Sequence, residues 1–128
     1  MMKNGGAIVS ISGMDTQRAV PRHGLLGAAK SALETLTAYY AHELASKRIR
    51  VNCVNPGFFE TESTRKYLGP AFDLVNGLYA QSVPSKTAAS LEDIANVVLF
   101  LCSEKSKWLV GQTIHPDGGF DFAMPMKM

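Results

Sequence analysis

Three short apolar runs along the chain predict three buried strands. They cover residues 7–11, 49–55 and 108–115, and each contains Ile and Val without strict alternation of apolar and polar positions. Such runs are typical of strands that are covered on both faces, as in parallel sheets. Each run ends at residues that stop a strand, namely Ser12-Gly13, Pro56-Gly57 and Pro116-Asp117-Gly118-Gly119.

A long helix is predicted over residues 24–46, which follow Pro21 and contain no proline. Apolar side chains spaced three and four positions apart predict one helix face: Leu33, Leu36, Tyr40 and Leu44. A second, weakly polar stripe lies beside it: Ala28, Ala32, Thr35 and Tyr39. Because a helix that only covers a sheet needs one apolar face, we expect the outer face to meet another element or another subunit.

A second helix is predicted after Ser90, which fits an N-cap with the acidic Asp93 three positions later. Apolar side chains then follow along one face: Ile94, Ala95, Val98, Leu101 and Cys102. Between the second strand and this helix, residues 58–88 combine aromatic side chains with Gly and Pro breaks. This composition fits a lid of short helices over an apolar ligand, and it fits a surface that covers a partner equally well.

The order of predicted elements is strand, helix, strand, lid, helix, strand. Right-handed crossovers then place three parallel strands side by side with helices packed on them. We therefore predict an α/β fold that is the C-terminal half of a Rossmann-like, doubly wound parallel sheet with three α/β/α layers. Residues 1–128 are expected to form a single partial domain, with residues 58–88 as its lid.

The composition excludes several classes of protein. The 128 residues, of which 46% are hydrophobic and 19% charged, suffice for one folded domain and not for two independent cores. The net charge of +2 comes from scattered basic residues, so we expect neither nucleic acid nor a membrane as a partner.

Cysteine and histidine usage bears on compartment and metal binding. Cys53 and Cys102 are too few for a disulfide framework, and we therefore expect a protein of the reducing cytoplasm without a signal peptide. His42 and His115 have no ligand spacing with each other or with either cysteine, so we expect no metal site.

Six segments, in this order and spacing, resemble the C-terminal half of the short-chain dehydrogenases/reductases. They are residues 6–12, Ala28-Ala29-Lys30-Ser31-Ala32-Leu33, residues 49–52, Asn55-Pro56-Gly57 with Thr61, residues 92–95, and Gly111-Gln112-Thr113 with residues 117–119. The resemblance implies hydride transfer that depends on NADPH or NADH, with the substrate above the carboxyl ends of the strands. It also implies a homo-oligomer, because the long helix and the last strand are the family's usual oligomerisation surfaces.

Lys30 matches the family lysine that lowers the pKa of a catalytic tyrosine and holds the nicotinamide ribose. Most members place that tyrosine four residues before the lysine, where this chain has Leu26. The enoyl-acyl-carrier-protein reductases place it seven residues before, where this chain has His23. Residues 24–34 look most like the NADPH-using enoyl reductases of this branch. The resemblance thus implies reduction of an enoyl thioester or a carbonyl compound, and a place in fatty acid metabolism.

His23 has two interpretations. Its imidazole is able to donate a hydrogen bond to an enolate in place of the tyrosine, which makes it a candidate catalytic residue. Alternatively, it is a polar residue at the start of a helix. Lys30 similarly has the alternative of a helix lysine whose stem lies along apolar surface.

The remaining candidate residues follow the first two strands. Gly13 falls where many members carry a catalytic serine, and Ser12 immediately before it is a candidate hydroxyl or simply part of a strand terminator. Pro56, Gly57 and Thr61 fit the family segment that contacts the nicotinamide carboxamide, although alone they would indicate only a turn.

The phosphate-binding fingerprint of a dinucleotide site requires glycines directly after a strand, and none of the eleven glycines makes that arrangement. Two hypotheses follow. In the first, a complementing N-terminal half completes an NAD(P)H-dependent reductase and covers the free flank of the first strand. In the second, the chain is a non-catalytic remnant that acts as an oligomerisation or interaction subunit. This hypothesis is favoured by the residues that stand where the family has its catalytic tyrosine and serine, namely Leu26, His23 and Gly13.

Overall fold

The computed structural model describes Met2 and residues 5–122. These residues form a parallel sheet of three strands in the order β1-β2-β3, with four α-helices. In chain order the elements are β1 (Gly6–Ile11), α1 (Gly24–Leu44), β2 (Ile49–Val54), α2 (Glu62–Leu68), α3 (Phe72–Ser82), α4 (Leu91–Cys102) and β3 (Thr113–Ile114). The prediction of three parallel strands connected by helices is confirmed.

The central strand β2 pairs with β1 along its whole length, from Gly6 opposite Ile49 to Ile11 opposite Val54. Because side chains alternate along β2, the sheet presents two apolar faces. On one face, Ile49 and Val51 pack against Ala41 of α1. On the other, Val54 packs against α4. The sheet is therefore the middle of three layers, as the sequence predicts for a Rossmann-like fold.

The buried face of α1 differs from the predicted one. Its buried residues are Gly27, Thr37 and Ala41, whereas Leu36 and Tyr40 remain 44% and 49% exposed. Small side chains allow α1 to lie close to β2, and the Thr37 hydroxyl forms a hydrogen bond of 3.0 Å with that of Ser10. Of the predicted face, Leu44 packs against the core beside Ala41 and Leu33 is half-buried. The prediction is wrong for Leu36 and Tyr40, because close helix–sheet packing favours small residues over large ones.

The last strand is shorter than predicted. Only Thr113–Ile114 pairs with β2, and Trp108 is 93% exposed outside the sheet. The Asn52 side chain, which is fully buried, replaces part of the backbone ladder: its Nδ2 donates to Leu109 O (2.9 Å) and its Oδ1 accepts from Gln112 N (3.0 Å). The backbone at Gly111 has a φ of +71°, which bends the chain there. Gly111 N still donates to Val51 O and Gln112 O accepts from Cys53 N, both at 2.8 Å, just before the paired residues Thr113–Ile114.

The remaining predictions concern α4 and residues 58–88. Ser90 caps α4 through a reciprocal capping box with Asp93, as predicted. Residues 58–88 contain the short helices α2 and α3, which lie beyond the carboxyl end of β2. Within the described part of the chain, no helix has the length and apolar character needed to cross a membrane.

Candidate active site

A cavity of about 490 Å³ lies at the carboxyl ends of β1 and β2, between the start of α1 and the helices α2 and α3. Its volume falls within the range of small-molecule sites. All six residues that the sequence singles out line this cavity: Ser12, His23, Lys30, Pro56, Gly57 and Thr61. The fold thus brings together side chains that lie up to 49 positions apart in the sequence, from Ser12 to Thr61.

Lys30 reaches the cavity from α1, one side of which faces the end of β1. Its ammonium donates a hydrogen bond of 2.8 Å to the carbonyl oxygen of Ile11. An ammonium group has three donors, and this is the one hydrogen bond that Lys30 Nζ makes among the described residues. The cation is therefore held at the rim of the cavity with donors left for a hydroxyl-rich ligand.

His23 lies at the N-cap position of α1, but its side chain makes no capping hydrogen bond there. Instead, its Nδ1 lies 2.6 Å from Oδ1 of Asp15. The ring also packs against Tyr67, with 4.6 Å between the ring centroids. Asp15 and Tyr67 both line the cavity, and sequence reasoning missed them as site residues. Asp15 lies in a polar, irregular segment without a recognisable motif, so only the folded chain shows its partner.

Ser12 is 96% buried, and its hydroxyl is directed to Glu34, with 2.6 Å between Oγ and Oε1. The same carboxylate oxygen accepts hydrogen bonds from Thr16 Oγ1 (3.1 Å) and Asn55 Nδ2 (2.7 Å). The hydroxyl proton of Ser12 is thus engaged in this network. A catalytic role of Ser12 stays a prediction. Glu34 lies four positions after Lys30 on the same helix face, a spacing that could have indicated its place beside the site.

Gly57 approaches its neighbours too closely for any side chain. A Cβ atom there would lie 2.1 Å from the Tyr79 hydroxyl and 3.0 Å from Cα of Asp117. The absence of a side chain at Gly57 is therefore required for packing, whatever its backbone binds.

Tyr79, beside Gly57, has a raised pKa. Burial is the largest cause, and the nearby Asp117 and Asp121 carboxylates raise the pKa further. A hydrogen bond from the Phe58 backbone acts in the opposite direction and lowers it.

Thr61 caps α2, with its Oγ1 accepting from Thr64 N at 3.0 Å. The Thr64 hydroxyl in turn accepts from Thr61 N at 2.7 Å, which completes a capping box. Contact between Thr61 or Pro56 and a nicotinamide carboxamide stays a prediction. The structure adds that Thr61 begins the helix which carries Tyr67 to His23.

The far wall of the cavity is apolar and comes from residues 58–88. Phe58, Phe59, Leu68 and Val75 line it. Phe72 lies beneath this wall, 98% buried, with its ring centroid 5.9 Å from that of Phe58. A lid over an apolar ligand stays a prediction, and these side chains are the surface that it would offer to the ligand. The alternative of a partner-covering surface concerns the outer side of α3, where Leu74 is 67% exposed.

Comparisons with known proteins agree with this fold. The chain matches the family model of enoyl-(acyl carrier protein) reductase over residues 1–121. D-erythrulose reductase of Gallus gallus is 36% identical over 115 residues, which cover 90% of this chain and 46% of that protein. Enoyl-(acyl-carrier-protein) reductase (NADH) FabI of Enterococcus faecalis is 31% identical over 119 residues, which cover 93% of this chain and 47% of that protein.

Among solved structures, the Bacillus cereus enoyl-acyl carrier protein reductase, in complex with NADP+ and indole naphthyridinone, superposes with a TM-score of 0.87 at 27% sequence identity. The match covers 95% of this chain and 47% of that one. The chain thus spans about half the length of the relatives that it matches. The comparisons give no support to the alternative of a non-catalytic interaction subunit. The chain belongs to the enoyl-(acyl carrier protein) reductase family of short-chain dehydrogenases/reductases.

Proposed function

We propose that this chain forms the nicotinamide-proximal part of an NAD(P)H-dependent reductase that acts on an enoyl thioester or a carbonyl compound. The observation that carries the proposal is the cavity at the carboxyl ends of β1 and β2, where Lys30 and His23 meet the Pro56–Thr61 segment. In doubly wound sheets, ligands bind at this end of the strands.

The residues present fit the nicotinamide side of such a cofactor. Lys30 offers ammonium donors beyond the one used on Ile11 O, and these suit the paired hydroxyls of a ribose. The segment from Pro56 to Thr61 lies along the same cavity and would face the carboxamide. When bound, the nicotinamide supplies a hydride. The names of two relatives specify NADH and NADP+ respectively, so the proposal covers both cofactors.

The substrate side of the cavity combines one polar end with apolar walls. Phe58, Phe59 and Val75 provide the apolar surface that an acyl chain requires, and His23 supplies a polar group near the opposite wall. An enoyl thioester and a carbonyl compound both present an oxygen that gains negative charge as hydride is added. The relatives named enoyl-(acyl-carrier-protein) reductase and D-erythrulose reductase represent these two classes of substrate.

A complementing N-terminal half is part of this proposal. β1 is an edge of the described sheet, and Ile8 and Ile11 on it are 39% and 40% exposed. Open strand edges with apolar side chains are normally paired or covered. We propose that a strand of this half pairs with β1 and that the half supplies the pyrophosphate site. The free thiols of Cys53 and Cys102 support a reducing compartment such as the cytoplasm.

The test is a fluorescence titration of the 128-residue chain with NADPH and, in parallel, with NADH. We expect saturable binding of at least one cofactor, and a dissociation constant raised about tenfold or more in Lys30→Ala, because the ribose loses its ammonium donors. Lys47→Ala is the matched control, since Lys47 lies exposed at the other end of α1 and should leave the affinity unchanged.

Two results would overturn the proposal. One is the absence of saturation with either cofactor at about millimolar concentration even when the N-terminal half of a related enoyl-(acyl-carrier-protein) reductase is supplied, which corresponds to a binding free energy weaker than about 4 kcal/mol. The other is equal binding by the wild-type chain and Lys30→Ala. Saturable binding that Lys30→Ala weakens and Lys47→Ala does not would justify turnover assays with an enoyl thioester and a 3-oxoacyl thioester.

A further inference from the structure

The contact between Asp15 and His23 determines which ring nitrogen of His23 carries the hydrogen when the imidazole is neutral. Nδ1 of His23 lies 2.6 Å from Oδ1 of Asp15, and the two side chains are only 23% and 12% exposed. An ionised carboxylate has acceptors and no donor, so Nδ1 must provide the hydrogen of this bond. A neutral His23 in this contact therefore carries its hydrogen on Nδ1 and a lone pair on Nε2. A protonated His23 carries hydrogens on both nitrogens.

The surrounding residues hold Asp15 where this contact is made. Thr16, the next residue, donates to Glu34 Oε1 and accepts from Asn55 Nδ2 at 2.8 Å, which fixes the turn that contains Asp15. A Cβ atom at Gly27 would lie 2.9 Å from the carbonyl oxygen of Asp15, so this glycine lets the turn lie directly against α1. The position of Asp15 is thus built into the fold.

Tyr67 fixes the orientation of the imidazole ring. Its ring packs against that of His23 at an interplanar angle of 58°, and its hydroxyl donates to the carbonyl oxygen of Pro21 at 3.1 Å. No described residue forms a hydrogen bond with Nε2 of His23, and His23 lines the same cavity as Lys30. His23 at the N-cap position precedes Lys30 by seven residues, and both side chains line this cavity.

We propose that Asp15 and His23 form a paired proton carrier for the reductase, in which Nε2 of His23 exchanges a proton with the substrate oxygen and Asp15 is the positioning residue. This inference rests on the proposed function. In reduction of a carbonyl, a hydride from the reduced nicotinamide forms the new C–H bond, and the π electron pair moves to oxygen. Nε2–H of the imidazolium then protonates that oxygen, which leaves an alcohol, an oxidised nicotinamide and a neutral imidazole that regains its proton from water.

The same geometry accounts for the reverse direction. The neutral imidazole, held as the Nδ1–H form, has its lone pair on Nε2 and accepts the hydroxyl proton of an alcohol as hydride leaves the carbon. A neutral His23 in this contact has no hydrogen on Nε2, so it is a base and not a donor. The structure therefore assigns the donor role to the imidazolium alone, which distinguishes this site from one based on a neutral hydroxyl.

The first test reads the protonation of the ring directly, by long-range proton–nitrogen NMR correlation of the labelled 128-residue chain without cofactor. We expect neutral His23 to be in the Nδ1–H form, and Asp15→Asn, whose amide is able to donate to Nδ1, to shift it toward the Nε2–H form. His115 is an internal control, because its Nδ1 lies 3.0 Å from Asp121 Oδ2 outside this cavity. Asp121→Asn should change the His115 signals and leave those of His23 unchanged.

The second test concerns catalysis and uses His23→Phe, which retains a ring against Tyr67. In the turnover assay with the complementing N-terminal half supplied, NADPH or NADH and a 3-oxoacyl thioester, we expect kcat to fall by about 10²–10⁴-fold, the usual contribution of a general acid or base. The cofactor dissociation constant should be unchanged. His115→Phe, outside the site, should retain wild-type turnover.

The outcomes separate this inference from the proposed function. Absence of cofactor binding when the N-terminal half is supplied overturns the proposed function, while the NMR result still decides whether Asp15 sets the form of His23. The inference itself is overturned if neutral wild-type His23 is in the Nε2–H form, if Asp15→Asn leaves a folded chain with unchanged His23 signals, or if His23→Phe retains wild-type turnover.

Discussion

Ser12 donates its hydroxyl hydrogen to Glu34, with 2.6 Å between Ser12 Oγ and Glu34 Oε1. This bond ties the end of β1 to the middle of α1, and the same oxygen accepts from Thr16 and Asn55. One carboxylate thus holds together the segments that form the floor of the cavity. Ser12 serves this network through its proton, even though its place after β1 makes it a candidate catalytic hydroxyl.

Replacement of Glu34 by Ala should destabilise the chain by about 2–3 kcal/mol, because three donors lose a charged acceptor in a partly buried position. Urea denaturation followed by circular dichroism measures the change. Glu34→Gln, which keeps a carbonyl acceptor, should lose less. Glu43→Ala on the exposed side of α1 is the control and should change stability by less than about 0.5 kcal/mol. Equal losses for Glu34→Ala and Glu43→Ala would contradict the importance of the network.

Gly57→Ala should destabilise the chain by about 1–3 kcal/mol, since the added methyl overlaps the Tyr79 hydroxyl and presses on the backbone of Asp117. Thermal or urea unfolding provides the measurement. Gly77→Ala in α3 is a matched control, because nothing lies within 4 Å of its Cβ position. In that helix the change should stabilise by up to about 1 kcal/mol. Combining Gly57→Ala with Tyr79→Phe should recover part of the loss, and a double variant no better than the single one would count against this explanation.

Asn52→Ala should lower the free energy of unfolding by about 1–3 kcal/mol, because the backbone groups of Leu109 and Gln112 lose their buried partner. Amide hydrogen exchange should also become faster in residues 109–114, where Asn52 attaches the chain to β2. Asn96→Ala, on the exposed side of α4, should have neither effect. Unchanged exchange at Gln112 in Asn52→Ala would show that the side chain is not what holds this segment.

The capping box of α4 makes a prediction about pH. Hydrogen bonds from the side chain and backbone of Ser90 lower the pKa of Asp93 below its ordinary value of 3.8. The unfolded chain therefore takes up a proton at Asp93 before the folded chain does, and stability falls as the pH drops through this range. Wild type should exceed Asp93→Asn in unfolding midpoint at neutral pH, and the difference should shrink as the solution is acidified below the ordinary value.

Ser90→Ala provides the complementary measurement, because it removes the hydrogen bond that contributes most to the lowered pKa of Asp93. The acid sensitivity that distinguishes wild type from Asp93→Asn should then be reduced. A midpoint difference that stays constant from neutral to acid pH would contradict the role of the Asp93 carboxylate.

Much of the fold follows from local features of the sequence. The strands from Ala7 and Ile49, the helix that Ser90 caps and the parallel order are all read from apolar runs, caps and chain connectivity. These features act over a few neighbouring residues, so they are visible before the chain folds. The resemblance to the short-chain dehydrogenases/reductases likewise indicated His23 and Lys30 as candidate residues of one site.

Tertiary packing decided the rest. Leu36 and Tyr40 are apolar at helical spacing, yet they are exposed, because Thr37 and Ala41 allow a closer approach of α1 to β2. The network on Glu34 and the pairing of Asp15 with His23 join residues that come from different elements and carry no common motif. The sequence by itself determined which residue types reach the carboxyl ends of the strands. Only the folded chain places the Asp15 carboxylate against Nδ1 of His23, because this contact joins a turn to a helix start and no local pattern encodes it.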